Sequence, residues 1–114
     1  MTTALVQPAP AFNSITDMAQ MQEHASQAAT LLKALANEHR LIIMCTLLGG
    51  ELCVSDLNVK VPLSQSALSQ HLANLREAGL VSTRKESQTV FYAVNGDEAR
   101  KIITVLQSIY CPEL

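Results

Sequence analysis

The stretch that decides the fold is Leu63-Ser-Gln-Ser-Ala-Leu-Ser-Gln-His-Leu-Ala-Asn-Leu-Arg-Glu-Ala-Gly-Leu-Val81. Leu68, Leu72 and Leu75 recur at helical spacing, so they share one face of an amphipathic helix. The other face carries short polar side chains, namely Ser66, Ser69, Gln70 and Asn74, with Gln65 at its N-terminal edge. Ser64 is placed to cap this helix and Gly79 to end it. Because serine and glutamine hydrogen-bond base edges in the major groove, double-stranded DNA is the expected partner of this face.

A β-hairpin is predicted directly after this helix. Residues 81–86 and 89–94 alternate in the manner of strands, and Ser87-Gln88 separates them. Upstream, a short helix is predicted over residues 54–59, and Pro62 breaks the chain before the polar-faced helix. A short helix, a turn and a longer helix, followed by a hairpin, predict a winged helix-turn-helix.

Further helices flank this motif. They are expected over residues 17–32, over residues 37–48 with Asn37 as N-cap, and over residues 97–110 before Pro112. The start of the short helix before Pro62 is left open, with Ser55 and Asp56 as alternative caps. The predicted fold class is therefore mainly α, with about five helices and a small β-hairpin that forms the wing.

Length, composition and motifs limit the class of protein to which this sequence can belong. A chain of 114 residues with 48% hydrophobic residues is expected to form one domain, which we place at residues 15–114 behind a disordered N-terminal tail at residues 1–14. The sequence has neither an apolar run long enough to span a membrane nor a signal-like basic N-terminus, so a cytoplasmic protein is expected. A nucleophile–base set, a phosphate-binding glycine loop and a paired-carboxylate pocket are all missing from the sequence, which argues against an enzyme. No cofactor is expected.

The charge of the whole chain fits a DNA-binding protein poorly, since the net charge is −2 and the pI is about 5.8. Arg76, Arg84 and Lys85 nevertheless cluster around the polar helix and its hairpin, and a local basic patch is able to steer DNA. The candidate DNA-binding residues are Ser64, Gln65, Ser66, Ser69, Gln70 and His71 on the helix and Arg84, Lys85 and Gln88 on the wing. His71 either reaches a phosphate or packs at the helix edge. The wing residues either contact a phosphate or the minor groove or form an ordinary solvated hairpin.

Both terminal helices carry more apolar surface than a half-exposed helix tolerates. The side chains concerned are Leu31, Leu32, Ile102, Leu106 and Ile109. They either complete the core of a monomer or form an interface between two copies, and the second interpretation is favoured. A homodimer through the first and last helices is therefore expected, and its two-fold symmetry predicts an inverted-repeat operator.

This order of motifs resembles the ArsR/SmtB family of small bacterial repressors. The resemblance covers roughly residues 28–111. It rests on Leu35-Ala-Asn-Glu-His-Arg-Leu41, Glu51-Leu-Cys-Val-Ser-Asp-Leu57, the helix segment from Leu63 to Val81, and Arg84-Lys-Glu-Ser-Gln-Thr-Val-Phe-Tyr92. It implies a homodimeric transcriptional repressor whose two winged helices bind an inverted repeat. It also implies an inducer that loosens DNA binding.

Three cysteines occur, and in a reducing cytosol unpaired cysteines are most often plain buried hydrophobes. The chain is, however, most similar to the subgroup of the BigR, SqrR and HlyU type, which responds to sulfide, persulfide or oxidants through two cysteines. Cys45 and Cys111 match the positions of those two cysteines. The resemblance thus implies that a di- or polysulfide bridge between Cys45 and Cys111 of one subunit releases the operator, with persulfide, polysulfide or an oxidant as inducer.

A metal- or metalloid-responsive repressor of the same family is the alternative. Arsenic and cadmium sensors of the family use a cysteine cluster in the segment that matches residues 51–58. This chain has Cys53 there, but Ser55 and Asn58 occupy the other positions. The last helix also lacks the histidines that zinc sensors use. Because a tetrahedral site needs three or four ligands, one thiolate is too few and no metal site is expected.

Overall fold

The computed structural model describes residues 15–111. In this part of the chain the helices are α1 (Ile15–Leu35), α2 (Glu38–Leu47), α3 (Val54–Lys60), α4 (Gln65–Glu77) and α5 (Asp97–Tyr110), and the strands are β1 (Leu52–Cys53), β2 (Val81–Glu86) and β3 (Thr89–Val94). Five helices and the hairpin confirm the predicted fold class. The tail predicted at residues 1–14 and the helix stop predicted at Pro112 lie outside the described residues.

The described part of the chain divides after Thr30 into two units, residues 15–30 and residues 31–111. In the first unit, residues 15–30 are helical, and the Thr30 hydroxyl donates to the Ser26 carbonyl across one helical turn at 3.0 Å. In the second unit, Arg40 Nε donates to the Ala34 carbonyl at 2.6 Å. That bond satisfies one of the carbonyls left open where α1 ends.

The predicted helix boundaries are confirmed closely for α2, α4 and α5, and two other expectations need correction. α1 continues past the predicted residue 32 to Leu35, because Lys33, Ala34 and Leu35 all favour helix. The caps proposed for the short helix are wrong. α3 starts at Val54 with Cys53 in the N-cap position, so Ser55 and Asp56 lie within its first turn. Asp56 there faces the positive end of the helix dipole instead of capping it.

The core of the second unit forms around the apolar stripe of α4. Leu68, Leu72 and Leu75 are completely buried, and removing each from water contributes about 1.5–3 kcal/mol. They pack with buried side chains of the other elements, including Ile43, Met44, Leu47, Leu57, Val61 and Ile103. The orientation of α4 is therefore fixed by burial, and its polar face is left toward solvent.

The turn between α3 and α4 is held by side-chain hydrogen bonds. Asn58 Nδ2 donates to the Leu63 carbonyl at 2.7 Å and closes the turn around Pro62. Ser64 then caps α4, because its hydroxyl accepts from the Ala67 backbone N–H at 3.2 Å. The N-cap expected at Ser64 is thus confirmed. Asn58 holds the turn of the helix-turn-helix together.

The other end of α4 passes directly into the wing. Gly79 adopts a left-handed backbone with φ of +78°, and the Leu80 N–H donates to the Leu75 carbonyl at 2.9 Å, as in a Schellman cap. Asn95, just after β3, donates from Nδ2 to the Gly79 carbonyl at 2.9 Å. The base of the wing is thereby tied to the end of the polar-faced helix.

The wing contains one strand more than the sequence predicted. β2 and β3 pair antiparallel from Val81↔Val94 to Glu86↔Thr89, so the loop at the tip is the expected two residues. β1 adds to the other edge of β3 through Leu52↔Tyr92 and Cys53↔Phe91, which gives the sheet order β1-β3-β2. A strand of two residues is too short to show alternation in sequence. Among residues 15–111, no helix combines the length and the apolar character needed to cross a membrane.

The turn after α4 gives a clean test of backbone strain. A Cβ built at Gly79 meets no atom within 4 Å, so Gly79→Ala should lose only conformational energy, about 1–2 kcal/mol. The matched control is Gly49→Ala, where a Cβ meets the Thr46 carbonyl at an ordinary 3.7 Å and φ is not left-handed. Urea unfolding at one fixed protein concentration measures both. Equal stability of the two variants would contradict this account of the turn.

Candidate functional site

The polar face of α4 presents the predicted DNA-binding residues to solvent. Ser64, Gln65, Ser66, Ser69 and Gln70 are all exposed. Their contacts within the chain are long: Ser64 Oγ lies 3.4 Å from Ser66 Oγ, and Gln70 Nε2 lies 3.4 Å from Asn74 Oδ1. Hydrogen bonds of that length on an exposed face exchange readily, so these donors and acceptors are available to an incoming ligand.

His71 differs from the other candidates on α4. Its side chain is half-buried, and its ring centroid lies 5.7 Å from that of His39 on α2. Its Nδ1 is buried and has no hydrogen-bond partner among the residues described. Burial lowers the pKa of His71, and electrostatic interactions with Arg40 and then His39 lower it further. The ring is therefore neutral at pH 7, and of the two expectations for His71, packing at the helix edge agrees with this geometry.

Arg84 on the wing is engaged within the protein. Its Nε donates to both carboxylate oxygens of Glu51 at 2.9 Å, and its Nη1 donates to Glu86 Oε2 at 2.7 Å. The guanidinium carbon lies 4.6 Å from the centre of the Phe91 ring, in cation–π contact. The hydrogen bond from Arg84 lowers the pKa of Glu51, and the bonds to Glu51 and Glu86 raise the pKa of Arg84. Sequence reasoning missed Glu51, since it lies 33 residues before its partner.

Lys85 and Gln88 are both exposed near the tip of the wing. The turn places Ser87 in the left-handed region, with φ of +57°. This supplies the conformation that hairpin loops of two residues require, although the sequence carries no glycine in the turn. The turn confirms the predicted hairpin and leaves Lys85 and Gln88 directed into solvent.

A cleft between α2 and α5 contains both cysteines that the family resemblance singles out. Its volume is about 420 Å³, and its lining residues are Leu41, Cys45, Leu106, Gln107, Tyr110 and Cys111. Cys45 and Cys111 are both free thiols, the first half-buried and the second exposed. The tertiary structure thus brings together two thiols that lie 66 positions apart in the sequence, counting from 45 to 111.

The two thiols lie in different electrostatic environments. Burial raises the pKa of Cys45, the side-chain amide of Gln107 partly opposes that rise, and the charge of Cys111 adds to it. Gln107 therefore favours the thiolate of Cys45. It is also linked to Cys111, whose backbone N–H donates to the Gln107 carbonyl at 2.7 Å. Sequence reasoning missed Gln107, although it stands one helical turn before Cys111.

Cys53 occupies a separate place at the base of the wing. Its Sγ lies 3.2 Å from Ser55 Oγ, and it lines a cleft of about 320 Å³ with residues of α3 and the wing. Within residues 15–111, no three histidine, cysteine, aspartate or glutamate side chains lie close enough together to hold a metal ion. The cysteine-cluster arrangement of the metalloid-responsive alternative is thus not assembled around Cys53.

The last helix presents two different apolar surfaces. Ala99 and Ile103 are buried in the core, whereas Val105, Ile109 and Tyr110 are 55%, 59% and 78% exposed. Of the residues predicted to form an interface, Leu32 and Ile109 are exposed, while Leu31, Ile102 and Leu106 are half-buried against the core. The exposed apolar side chains of α5 and Leu32 are therefore the candidates for the interface that the sequence predicts.

Comparison with known proteins gives the family. The family model described as "Bacterial regulatory protein, arsR family" matches residues 37–83. The transcriptional activator HlyU of Vibrio cholerae is 52% identical over 95 residues, which span 83% of this chain and 88% of HlyU. The chain belongs to the ArsR family. It is therefore a transcriptional regulator, and its relatives are regulators and not enzymes.

Some of the relatives are named as activators and others as repressors. A biofilm growth-associated repressor of Agrobacterium fabrum is 44% identical over 91 residues, spanning 80% of this chain and 78% of the repressor. Together with HlyU, this relative confirms the predicted resemblance to the subgroup of the BigR and HlyU type.

Solved structures agree with this assignment. Reduced HlyU from Vibrio cholerae superimposes with a TM-score of 0.77 at 53% identity, covering 81% of this chain and 97% of HlyU. The repressor BigR from Xylella fastidiosa gives a TM-score of 0.76 at 36% identity, with 82% and 96% covered. A homodimeric winged helix-turn-helix DNA-binding domain from Mycobacterium bovis gives 0.68 at 28% identity, with 89% and 90% covered. The winged helix-turn-helix fold is thereby confirmed.

The environments of the two thiols predict different reactivities. Because its pKa is raised, Cys45 has less thiolate at pH 7 and should react with iodoacetamide more slowly than the exposed Cys111. Below its pKa, the Cys45 rate should rise about tenfold per pH unit. Gln107→Leu should slow Cys45 further, since it removes the group that favours the thiolate. Mass spectrometry of a timed reaction measures each site, with protein unfolded in urea as control. Equal native rates would contradict the difference in environment.

Proposed function

We propose that this chain is a homodimeric, cytoplasmic repressor that binds an inverted-repeat operator and releases it when Cys45 and Cys111 become bridged. The observation that carries the proposal is the single cleft that both thiols line, between α2 of the DNA-binding core and the partly apolar, exposed α5. The inducer is a reactive sulfur species or an oxidant.

In the bound complex, the polar face of α4 enters the major groove of each half-site. Ser66, Ser69 and Gln70 meet base edges, while Ser64 and Gln65 at the helix start meet the backbone, where the N-terminus of the helix favours a phosphate. Lys85 and Gln88 on the wing contact the adjacent phosphates or minor groove. His71 packs as a neutral group at the edge of the helix.

Two copies place two such helices on one duplex. The exposed apolar side chains of α5, with Leu32, supply the surface that joins them, and a homodimer is supported by the homodimeric relative from Mycobacterium bovis. Because the interface is two-fold symmetric, the operator is an inverted repeat. The repressor role is supported by the repressors among the relatives, whereas HlyU carries the name of an activator.

The sensing reaction begins at the more exposed thiol. The Cys111 thiolate attacks the terminal sulfane sulfur of a persulfide R–S–SH, forming Cys111–S–SH and releasing RS⁻. The Cys45 thiolate then attacks the inner sulfur of Cys111–S–SH, forming the Cys45–Cys111 disulfide and releasing HS⁻. The two thiols lose two electrons, which reduce the sulfane sulfur. If Cys45 is itself persulfidated first, the same attack yields a trisulfide.

The size of the cleft bears on the number of bridging sulfur atoms. A direct disulfide requires the two Cα atoms to lie about 4.4–6.8 Å apart. A cleft of about 420 Å³ beside the thiols has room for one or more additional sulfur atoms. Persulfide supplies those atoms and peroxide does not, so a bridge with more than two sulfur atoms would identify persulfide as the inducer.

Bridging changes DNA binding through the dimer. The bridge ties α5, which carries the proposed interface, to α2, whose Ile43, Met44 and Leu47 are packed in the core with α4. It thereby shifts the spacing of the two recognition helices. A differential free energy of about 1–3 kcal/mol between the two arrangements is typical of such coupling.

DNA binding is tested first by substitutions that separate base contacts from phosphate contacts. Gln70→Ala or Ser66→Ala should cost about 1–3 kcal/mol on the operator and little on random duplex. Lys85→Ala should weaken both alike and lower the slope of log K against log salt by about one. Fluorescence anisotropy over a salt series measures these constants. A purified monomer that binds no inverted-repeat duplex would refute the DNA-binding proposal.

The sensing pair is tested by serine substitutions. Cys45→Ser and Cys111→Ser should each bind operator like the parent and keep it when persulfide is added, because neither can form the bridge. Cys53→Ser is the matched control and should release the operator normally. Operator binding before and after persulfide gives the response, and mass spectrometry counts the sulfur atoms in the bridge. Normal release by either of the first two variants would eliminate the pair.

The metal- or metalloid-responsive alternative makes a different prediction. Zinc, cadmium or arsenite would then bind tightly with one site per subunit and dissociate the operator complex. Under the thiol-pair proposal, none of the three regulates DNA binding. Calorimetry combined with an operator-binding assay distinguishes the two.

A further inference from the structure

The contacts of Arg84 run across the whole width of the wing sheet. In the strand order β1-β3-β2, Arg84 of β2 is paired with Phe91 of β3, and Phe91 is paired with Cys53 of β1. Glu51 stands two residues before Cys53, so it projects from the same face of the sheet. The guanidinium lies over Phe91 and reaches Glu51 at the far edge.

The carboxylates hold Arg84 from two sides. Glu51 accepts from Nε through both of its oxygens, and Glu86, two residues along β2 on the same face, accepts from Nη1 at 2.7 Å. A planar guanidinium bound by a carboxylate in this forked manner and stacked on an aromatic ring has a fixed orientation. Although half of its side chain is exposed, Arg84 directs its hydrogen-bonding groups at carboxylates of its own chain.

The position of Glu51 connects these contacts to DNA binding. Glu51 directly precedes β1, and β1 leads into α3, the first helix of the helix-turn-helix. The cluster therefore links the outer wing strand to the segment that starts the DNA-binding motif. Because the cluster holds the wing at this edge, Lys85 and Gln88 stay at a fixed distance from α4.

We propose that Glu51 and Arg84 form a brace that positions the wing, and that Arg84 acts on DNA through the position of the wing instead of through a phosphate contact of its own. Glu51 is thus a positioning residue for DNA binding, and Lys85 is the wing cation that meets the phosphates. This inference rests on the proposed DNA-binding function and changes the role first expected for Arg84.

The decisive variant is Glu51→Gln, because the two explanations predict opposite changes in its affinity for DNA. Removing a negative charge near the wing would, by long-range electrostatics alone, tighten binding to every duplex. Loss of a brace would instead weaken binding where the wing must fit, about twofold to fivefold on an inverted-repeat duplex that the parent protein selects from random sequence. Binding to unselected random duplex should change little. The matched charge control is Glu98→Gln on α5, which should not weaken binding.

Arg84→Met, which keeps an aliphatic stem against Phe91, tests the second half of the proposal. It should weaken the selected duplex as Glu51→Gln does and leave the slope of log K against log salt unchanged. A direct phosphate contact would lower that slope by about 0.9, as Lys85→Met should do in the same assay. The Glu51→Gln/Arg84→Met double variant should bind no more weakly than either single variant, since both remove one interaction.

Hydrogen–deuterium exchange of the free protein tests the brace without DNA. Residues 83–92 should exchange faster in Glu51→Gln and in Arg84→Met than in the parent or in Glu98→Gln. Unchanged exchange there, tighter binding by Glu51→Gln, or a lowered salt slope for Arg84→Met would each overturn the proposal. Failure of the parent to select any duplex would refute the DNA-binding function instead, and the exchange result would still decide whether the brace exists.

Discussion

The burial of one apolar stripe organises the second unit of this protein. Leu68, Leu72 and Leu75 are completely buried and fix both the position and the rotation of α4. Because the same helix carries Ser66, Ser69, Gln70 and Asn74 opposite that stripe, burial of the leucines presents a hydrogen-bonding face to solvent. One face of α4 therefore organises the core, and the opposite face of the same helix forms the proposed DNA-binding surface.

Hydrogen bonds at both ends of α4 fix where this helix lies relative to the preceding turn and to the wing. Asn58 closes the preceding turn on the Leu63 carbonyl, and Asn95 bonds the Gly79 carbonyl where the wing begins. Each bond contributes on the order of 1 kcal/mol, so their value is more geometric than energetic. They define where the helix begins and ends relative to the wing, which is what a protein that reads a groove and its flanking phosphates needs.

The two thiols relate to this framework through α2. Cys45 lies on the helix whose buried side chains pack in the core with α4, while Cys111 ends α5, whose outer face is apolar and exposed. A covalent link between them would couple a helix in the core to a helix at a proposed interface. Gln107 adds a chemical asymmetry, since it favours the Cys45 thiolate against the effect of burial. The sensing proposed for this site therefore depends on the distance between the two thiols and on their ionisation.

The sequence by itself determined the helices, the hairpin and the face of α4 that is buried, because periodicity and capping residues are local properties. The family resemblance added the two cysteines. The tertiary structure alone decided three things: the strand β1, too short for a pattern; the shared cleft of Cys45, Gln107 and Cys111; and the engagement of Arg84 by Glu51. Each of these three features depends on contacts between residues that are far apart in the chain. Side chains that look free in a sequence, such as Arg84, find their partners only when the sheet assembles.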